Sequence, residues 1–246
     1  MHLLRYKLRP RRRGALRADT VGGITPAILL TLNSGEKVLS EHGILLYMEP
    51  SVKLQRRTQK SLGVSRAHLM GMHARGDNEE SYYFAEFQGP GHVTLSRDKG
   101  GDARIQQLNP QQGIRIKSGH LVAFDESVRY FPMVLARWVT QNGNEQEVHY
   151  IFADEMTGPG GLVFQGHGNV LSFQLRPGEM IRTTVHGLLA VENTVTVNLN
   201  WLVGMQMSSV FGGMGMMGGL GGGAPGNAQP VLDLIGPGIV MVNSGA

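Results

Sequence analysis

Apolar and polar residues alternate in short runs along most of this chain, and these runs predict β-strands. The segments "AILLTL", "KVLSEHGILLYM", "HVTLS", "GIRIKSGHLVAF", "NVLSFQL" and "TVTVNLNWLV" are rich in apolar or β-branched residues and are bounded by Gly, Pro, Asn or Ser. Helical periodicity is scarce. Asn142-Gly143 is a hairpin signal between Trp138–Thr140 and Val148–Phe152. The pattern as a whole predicts an all-β fold.

Three segments of the chain align when Leu32, Leu108 and Leu175 are set in register. They read "LNSGEKVLSEHGILLYMEPSV", "LNPQQGIRIKSGHLVAFDESV" and "LRPGEMIRTTVHGLLAVENTV". Each begins with a leucine and a turn, and each ends with an acidic residue that is followed two positions later by Ser or Thr and then by Val. The acids are Glu49, Asp125 and Glu192. The agreement predicts three pseudo-repeats, with unit boundaries at residues 20–78, 79–157 and 158–246 after a leader of residues 1–19.

A glycine motif is written twice, as "FQGPGHVTLS" from Phe87 and "FQGHGNVLSF" from Phe164, and "LIGPGIVMVN" echoes it near the end. A dinucleotide-binding loop needs a third glycine and a following helix, whereas the strand-like "HVTLS" follows Gly91. The motif therefore predicts a repeated turn, in which Pro fixes φ and Gly permits positive φ. The predicted turn residues are Gly89, Pro90, Gly91, Gly166, Gly168, Gly236, Pro237 and Gly238. We expect the closing strand, residues 234–243, to complete a sheet that the first unit leaves open.

The positive charge is concentrated at the start of the chain. Residues 1–17 hold seven of the 23 basic residues and no acid, so the remainder has 16 basic against 19 acidic residues. This balance makes a nucleic-acid partner unexpected for the body of the protein. The leader lacks the apolar run of a signal peptide, which leaves open a mitochondrial presequence, a strand from Leu3 to Leu8 with a basic turn, or contact with an anionic membrane or nucleic acid.

Candidate chemistry is sparse. The chain has no cysteine, and its nine histidines include no H-x-H pair, so we expect no metal and no cofactor. No G-x-S-x-G elbow supports a nucleophile, and we expect a protein that is not an enzyme. The three repeated acids are predicted to bond backbone N–H groups at their turns.

Residues 204–226 form a Gly/Met-rich loop. The segment can be interpreted as a flexible linker or as an apolar contact segment, since methionine suits adaptable binding surfaces. We favour contact with another copy, a membrane or a partner. The candidate contact residues are Met205, Met207, Phe211, Met214, Met216, Met217 and Leu220.

Several motifs resemble the family named for altered inheritance of mitochondria, which in bacteria is a domain of unknown function. They are "SGEKVLSEHGILLYM", "EESYYFAEFQGPG", "FQGPGHVTLS", "FQGHGNV", "LRPGEMI" and the Gly-rich run before "IGPGIVMV", within about residues 20–243. The resemblance implies three units like the tryptophan RNA-binding attenuator protein, of a short double-stranded β-helix type. It also implies a homotrimer with a pseudo-ring of nine units.

The resemblance provides no catalytic residue, and it links mitochondrial members to inner-membrane organisation. We therefore expect a scaffold or interaction protein that contacts a membrane surface or a protein partner. An RNA- or small-ligand-binding β protein is the alternative, although Lys53 and Arg129 have only Thr196 at the third equivalent position. A bacterial cytoplasmic location is favoured, with a mitochondrial one if the source is eukaryotic.

Overall fold

A computed structural model describes residues 16–23, 25–58, 83–97, 100–142, 145–203 and 228–245, and all the regular elements in these ranges are β-strands. The all-β prediction is confirmed. The strands are β1 (Ala18–Val21), β2 (Ala27–Leu32), β3 (Lys37–Glu41), β4 (Leu45–Met48), β5 (Lys53–Thr58), β6 (Tyr83–Gln88), β7 (Gly91–Leu95), β8 (Ala103–Leu108), β9 (Gly113–Lys117), β10 (Leu121–Asp125), β11 (Arg129–Asn142), β12 (Glu145–Thr157), β13 (Gly160–Gln165), β14 (Val170–Leu175), β15 (Met180–Thr184), β16 (Leu188–Glu192), β17 (Thr196–Val203), β18 (Ala228–Ile235) and β19 (Gly238–Asn243). The strand predicted from Leu3 to Leu8 lies outside the described residues.

The antiparallel pairing groups β2 to β19 into three blocks of six strands, which we call the first (β2–β7), second (β8–β13) and third (β14–β19) blocks. In each block the first and third strands pair with the sixth, and the second and fourth strands pair with the fifth. The registers correspond, because Leu32 lies opposite Gly91, Leu108 opposite Gly160, and Leu175 opposite Gly238. The hairpin predicted around Asn142-Gly143 is confirmed as β11–β12, with Trp138 opposite His149.

The blocks begin and end at different residues from the predicted units. The boundaries at 78/79 and 157/158 fall inside blocks, because β6 and β7 return to pair with β2 to β5, and β13 returns to β8 and β10. The closing strand β19 pairs with β14 and β16, not with an open sheet of the first unit. Internal similarity identifies equivalent residues, but it does not reveal which strands share hydrogen bonds.

One of the predicted equivalences between glycine turns is wrong. The place of Gly89-Pro90-Gly91 in the second block belongs to Gly158-Pro159-Gly160, whereas Gly166 and Gly168 lie in the loop between β13 and β14. Gly236-Pro237-Gly238 holds the equivalent place in the third block, and the turn predicted at these residues is present. In all three turns the peptide bond before proline is cis, and the second glycine has φ between +137° and +142°.

Neighbouring blocks are joined by direct strand pairing. β10 of the second block pairs with β3 of the first, and β16 of the third pairs with β9 of the second. These two junctions create two six-stranded sheets, ordered β5-β6-β3-β10-β13-β8 and β11-β12-β9-β16-β19-β14. The strands left over form a four-stranded sheet, β1-β2-β7-β4, and a three-stranded sheet, β15-β18-β17. Three hydrophobic clusters fill the space between the sheets and span adjacent blocks.

Candidate self-association site

β4 and β15, at opposite ends of the block series, each lack a second neighbour that their equivalent strands have. Among the described residues, β4 pairs only with β7, and β15 pairs only with β18. Their equivalents in the other blocks each have two partners, because β10 and β16 pair with the preceding block and β3 and β9 pair with the following block. The series of blocks therefore ends in two free strand edges, and such edges present unpaired N–H and C=O groups.

The free strand β4 has the composition of a core strand. Its residues Leu45, Leu46 and Tyr47 are exposed, and Leu46 reaches 66%. Val122 in β10 and Leu189 in β16 occupy the place of Leu46, and both are 0% exposed. The difference arises because each equivalent side chain packs against the preceding block, whereas none of the described residues forms a block before the first.

The third block exposes a matching apolar surface at the other end. Leu171 and Phe173 on β14 are 49% and 40% exposed, whereas Ile28 and Leu30, in the same places on β2, are fully buried. Ile28 and Leu30 belong to a cluster that includes Val122 of the second block. The third block thus has the apolar positions that would receive a following block, and none of the described residues forms one.

A buried acid holds an arginine at the β15 edge. Asp233 on β18 accepts hydrogen bonds from Arg182 Nε at 2.5 Å and Nη2 at 2.9 Å, and from Asn200 Nδ2 at 2.8 Å. The hydrogen bond from Arg182 is the main reason why the pKa of Asp233 is lowered, and it raises the pKa of Arg182. These hydrogen bonds hold the charged guanidinium beside the free edge.

The three repeated acids have a structural role in the sixth strand of each block. Glu49 accepts a hydrogen bond from the His92 N–H at 3.1 Å, Asp125 from Gly161 at 2.6 Å, and Glu192 from Ile239 at 2.9 Å. The prediction that these acids bond backbone N–H groups is confirmed, although the donors lie after the glycine turn that leads into the sixth strand. Burial is the main reason why the pKa of Asp125 rises to about 6. The side-chain hydrogen bond from His92 lowers that of Glu49.

Other candidate chemistry is limited in the part of the chain that is described. No group of three or more His, Asp or Glu residues comes together there as a metal site. A cleft of about 370 Å³ lies beside the β9–β10 turn, lined in part by Lys117, Trp138, Tyr150 and His186. Lys117 Nζ already donates to the Val185 and His186 carbonyls at 3.0 and 3.3 Å, so this lysine ties the second block to the third. Within the described ranges no helix is long and apolar enough to cross a membrane.

The sequence interpretation missed the residues that define the two edges. The contact segment proposed from sequence, with Met205 to Leu220, lies outside the described residues. Leu46, Val122 and Leu189 do occupy one column of the aligned repeats, as do Leu39, Arg115 and Arg182. The aligned segments could not show that Leu46 alone of its column is exposed, because that depends on the order of blocks.

The fold and the chain were compared with known proteins. An X-ray structure of a Streptococcus pyogenes protein from a structural genomics programme is similar, with a TM-score of 0.63, 18% sequence identity and coverage of 93% of each chain, which shows a shared fold. The comparison with curated proteins gives no significant match. The family model described as mitochondrial biogenesis AIM24 matches residues 20–245. This chain therefore belongs to the AIM24 family.

Proposed function

We propose that this protein is a non-enzymatic scaffold that assembles head to tail with copies of itself, with β15 of one copy pairing with β4 of the next. Three copies would then close a ring of nine blocks, the number implied by the resemblance stated above. A head-to-tail contact joins two different surfaces, and it gives a closed ring when its rotation closes. The scaffold would present three basic leaders to a membrane surface or a protein partner.

One observation carries the proposal. Joining the three-stranded sheet to the four-stranded sheet through β15 and β4 gives the order β17-β18-β15-β4-β7-β2, with β1 added at the end. This is the strand order of the two six-stranded sheets, position by position. The contact would cover the free edges and the apolar side chains of Leu46, Leu171 and Phe173, which are 66%, 49% and 40% exposed.

The internal junctions also give the register of the contact. Ala123 lies opposite Ser40 in one junction, and Ala190 lies opposite Ile116 in the other. The equivalent pair across two copies is Tyr47 opposite Thr183. Met48 would lie opposite Arg182, and Glu49 opposite Ile181.

Cysteine cross-linking tests this register directly, because the natural chain has no cysteine. Paired residues in antiparallel strands have Cα atoms about 4.5–5.5 Å apart, within the range that a disulfide spans. The double variant Y47C/T183C should form disulfides between copies on mild oxidation, seen as dimer and trimer bands on a non-reducing gel. Light scattering on the unmodified protein should give about three times the 26.8 kDa chain mass.

Two matched variants calibrate the cross-link. S40C/A123C uses the equivalent pair within one chain and should oxidise without any increase in mass. Y47C/M180C moves one cysteine three positions along β15, roughly 10 Å, and should not cross-link. A monomeric protein at all concentrations, or equal cross-linking at Thr183 and Met180, would overturn the proposal.

The proposed membrane contact depends on the basic leader, residues 1–19, and on how its described end packs against the first block. Leu16 and Ala18 are buried in the first block's cluster, β1 pairs with β2, and Arg17 Nη2 lies 2.8 Å from Glu36 Oε2. The described chain is therefore packed against the first block from Leu16 onward, and six basic residues lie among residues 1–15. Anionic vesicles should retain the full chain at low salt and release it at high salt, whereas neutral vesicles should not retain it. Equal retention by both vesicle types would contradict the proposed contact with an anionic membrane surface.

The cleft beside the β9–β10 turn is the observation that favours the small-ligand alternative. Trp138 and Tyr150 offer aromatic surface, and the buried Ser118 hydroxyl has no hydrogen-bond partner among the described residues. A ligand there should quench tryptophan fluorescence in the wild type, and the quenching should be lost in the W138L variant.

A further inference from the structure

The head-to-tail contact needs a polar element that selects the correct pair of edges, and the second block shows what such an element does. This inference rests on the self-association proposed above. Arg115 on β9 and Arg182 on β15 occupy the same place in their blocks. Each faces an acid on the paired strand, with Arg115 Nε 3.5 Å from Glu155 Oε1 and Arg182 bonded to Asp233.

At the closed junction the arginine reaches the next block. Arg115 Nη2 donates to the Asn193 carbonyl at 3.3 Å, and Nη1 donates to the Val195 carbonyl at 3.5 Å. These carbonyls belong to the turn that follows β16. One guanidinium thus forms an ion pair with the acid on β12 and donates hydrogen bonds to the turn of the third block.

At the free edge only half of this arrangement is present. Asp233 accepts hydrogen bonds from Nε and Nη2 of Arg182. None of the described residues provides an acceptor for Nη1. The turn equivalent to Asn193–Val195 in the first block is Pro50–Val52, which follows the other free strand, β4. We propose that Arg182 binds the Pro50 and Val52 carbonyls of a second copy and thereby ties β15 to β4.

Two details make this arginine specific to the contact between copies. Leu39 stands at its place on β3, so the junction between the first and second blocks forms without an arginine. At the other internal junction the Asn193 N–H donates to the Gly113 carbonyl at 2.9 Å, a bond that Pro50 cannot make because proline has no N–H. Arg182 therefore supplies hydrogen bonds across the contact at a turn that cannot donate the equivalent backbone hydrogen bond.

The test is the dissociation constant of the assembly, measured by sedimentation for R182L and for the double variant R182L/D233N. The double variant removes both charges and leaves no unpaired carboxylate on β18, and Leu39 shows that leucine fits this place. Because these variants lose hydrogen bonds from a charged donor, we expect the contact between two copies to weaken about tenfold or more. R176L removes the same charge from an exposed arginine in the neighbouring turn, and it should leave the constant unchanged.

R182K adds a readout that a purely structural role would not give. Lysine keeps the charge but lacks the planar fork, so it should lie between the wild type and R182L in affinity, with a stronger dependence on salt. Wild-type affinity in both R182L and R182L/D233N, with Y47C/T183C still cross-linking, would overturn the role of Arg182 and leave the head-to-tail contact intact. A wild-type protein that stays monomeric would instead overturn the proposed function.

Discussion

The closed junction between β9 and β16 and the free edges of β15 and β4 are made from closely similar strands. β16 reads "LLAVE" and its first four residues are buried, whereas the matching segment of β4 reads "LLYM" and its first three residues are exposed. Composition therefore does not separate the closed junction from the open end. The presence of a neighbouring block does, and proteins normally cover or protect an exposed apolar strand edge.

The largest expected effect comes from placing one charge at equivalent positions of the two regions. V122D puts a carboxylate into a fully buried site, and the cost of several kcal/mol is comparable with the whole stability of a domain. L46D puts the same charge on an exposed side chain. We expect V122D not to fold and L46D to fold as a monomer, which circular dichroism and light scattering would show. An L46D protein that keeps the mass of the wild type would break the comparison.

A second test asks whether the stability of the glycine turn depends only on contacts within its own block. A Cβ on Gly160 would lie 2.6 Å from Ser127 Oγ and 2.7 Å from Val128 Cγ2, at a φ of +142°. Gly91 meets Ser51 and Val52 in the same way, at the open end. All these contacts lie within one block, so G160A and G91A should lower the free energy of unfolding equally, by about 2–3 kcal/mol.

The control for this pair is G35A. Gly35 also has positive φ, at +80°, but a Cβ there meets nothing within 4 Å, so its loss should be about 1 kcal/mol. Urea unfolding in the L46D background keeps association out of the measurement. A clearly larger loss for G160A than for G91A would mean that the neighbouring block stiffens the turn.

The sequence predicted the features that a strand or a turn carries by itself. Alternation in "AILLTL" predicted β2, Asn142-Gly143 predicted the β11–β12 hairpin, and the column of Glu49, Asp125 and Glu192 predicted acids that bond backbone N–H groups. It did not predict that "FQGPG" corresponds to "MTGPG" and not to "FQGHG", because the two phenylalanines gave a better local match. Nor did it predict the free edges of β4 and β15. The exposure of Leu46 depends on pairings between distant strands, and so does the lack of an acceptor for Arg182 Nη1 among the described residues.

The last expected effect is a pH dependence that distinguishes the acid at a closed junction from the acid at the open end. Burial and the nearby charge of Glu36 raise the pKa of Asp125 to about 6, from 3.8, so the folded chain holds this proton more tightly than the unfolded chain. The free energy of unfolding should therefore fall as pH rises from about 4 to about 6, by about 2 kcal/mol, and then level off. Glu49 has the opposite sign, because its lowered pKa gives stability above pH 4.5 that is lost as pH falls. Urea unfolding between pH 4 and 7 should show that D125N removes the fall and that E49Q does not. A constant difference between the wild type and D125N across this range would show that Asp125 is not protonated in the folded chain.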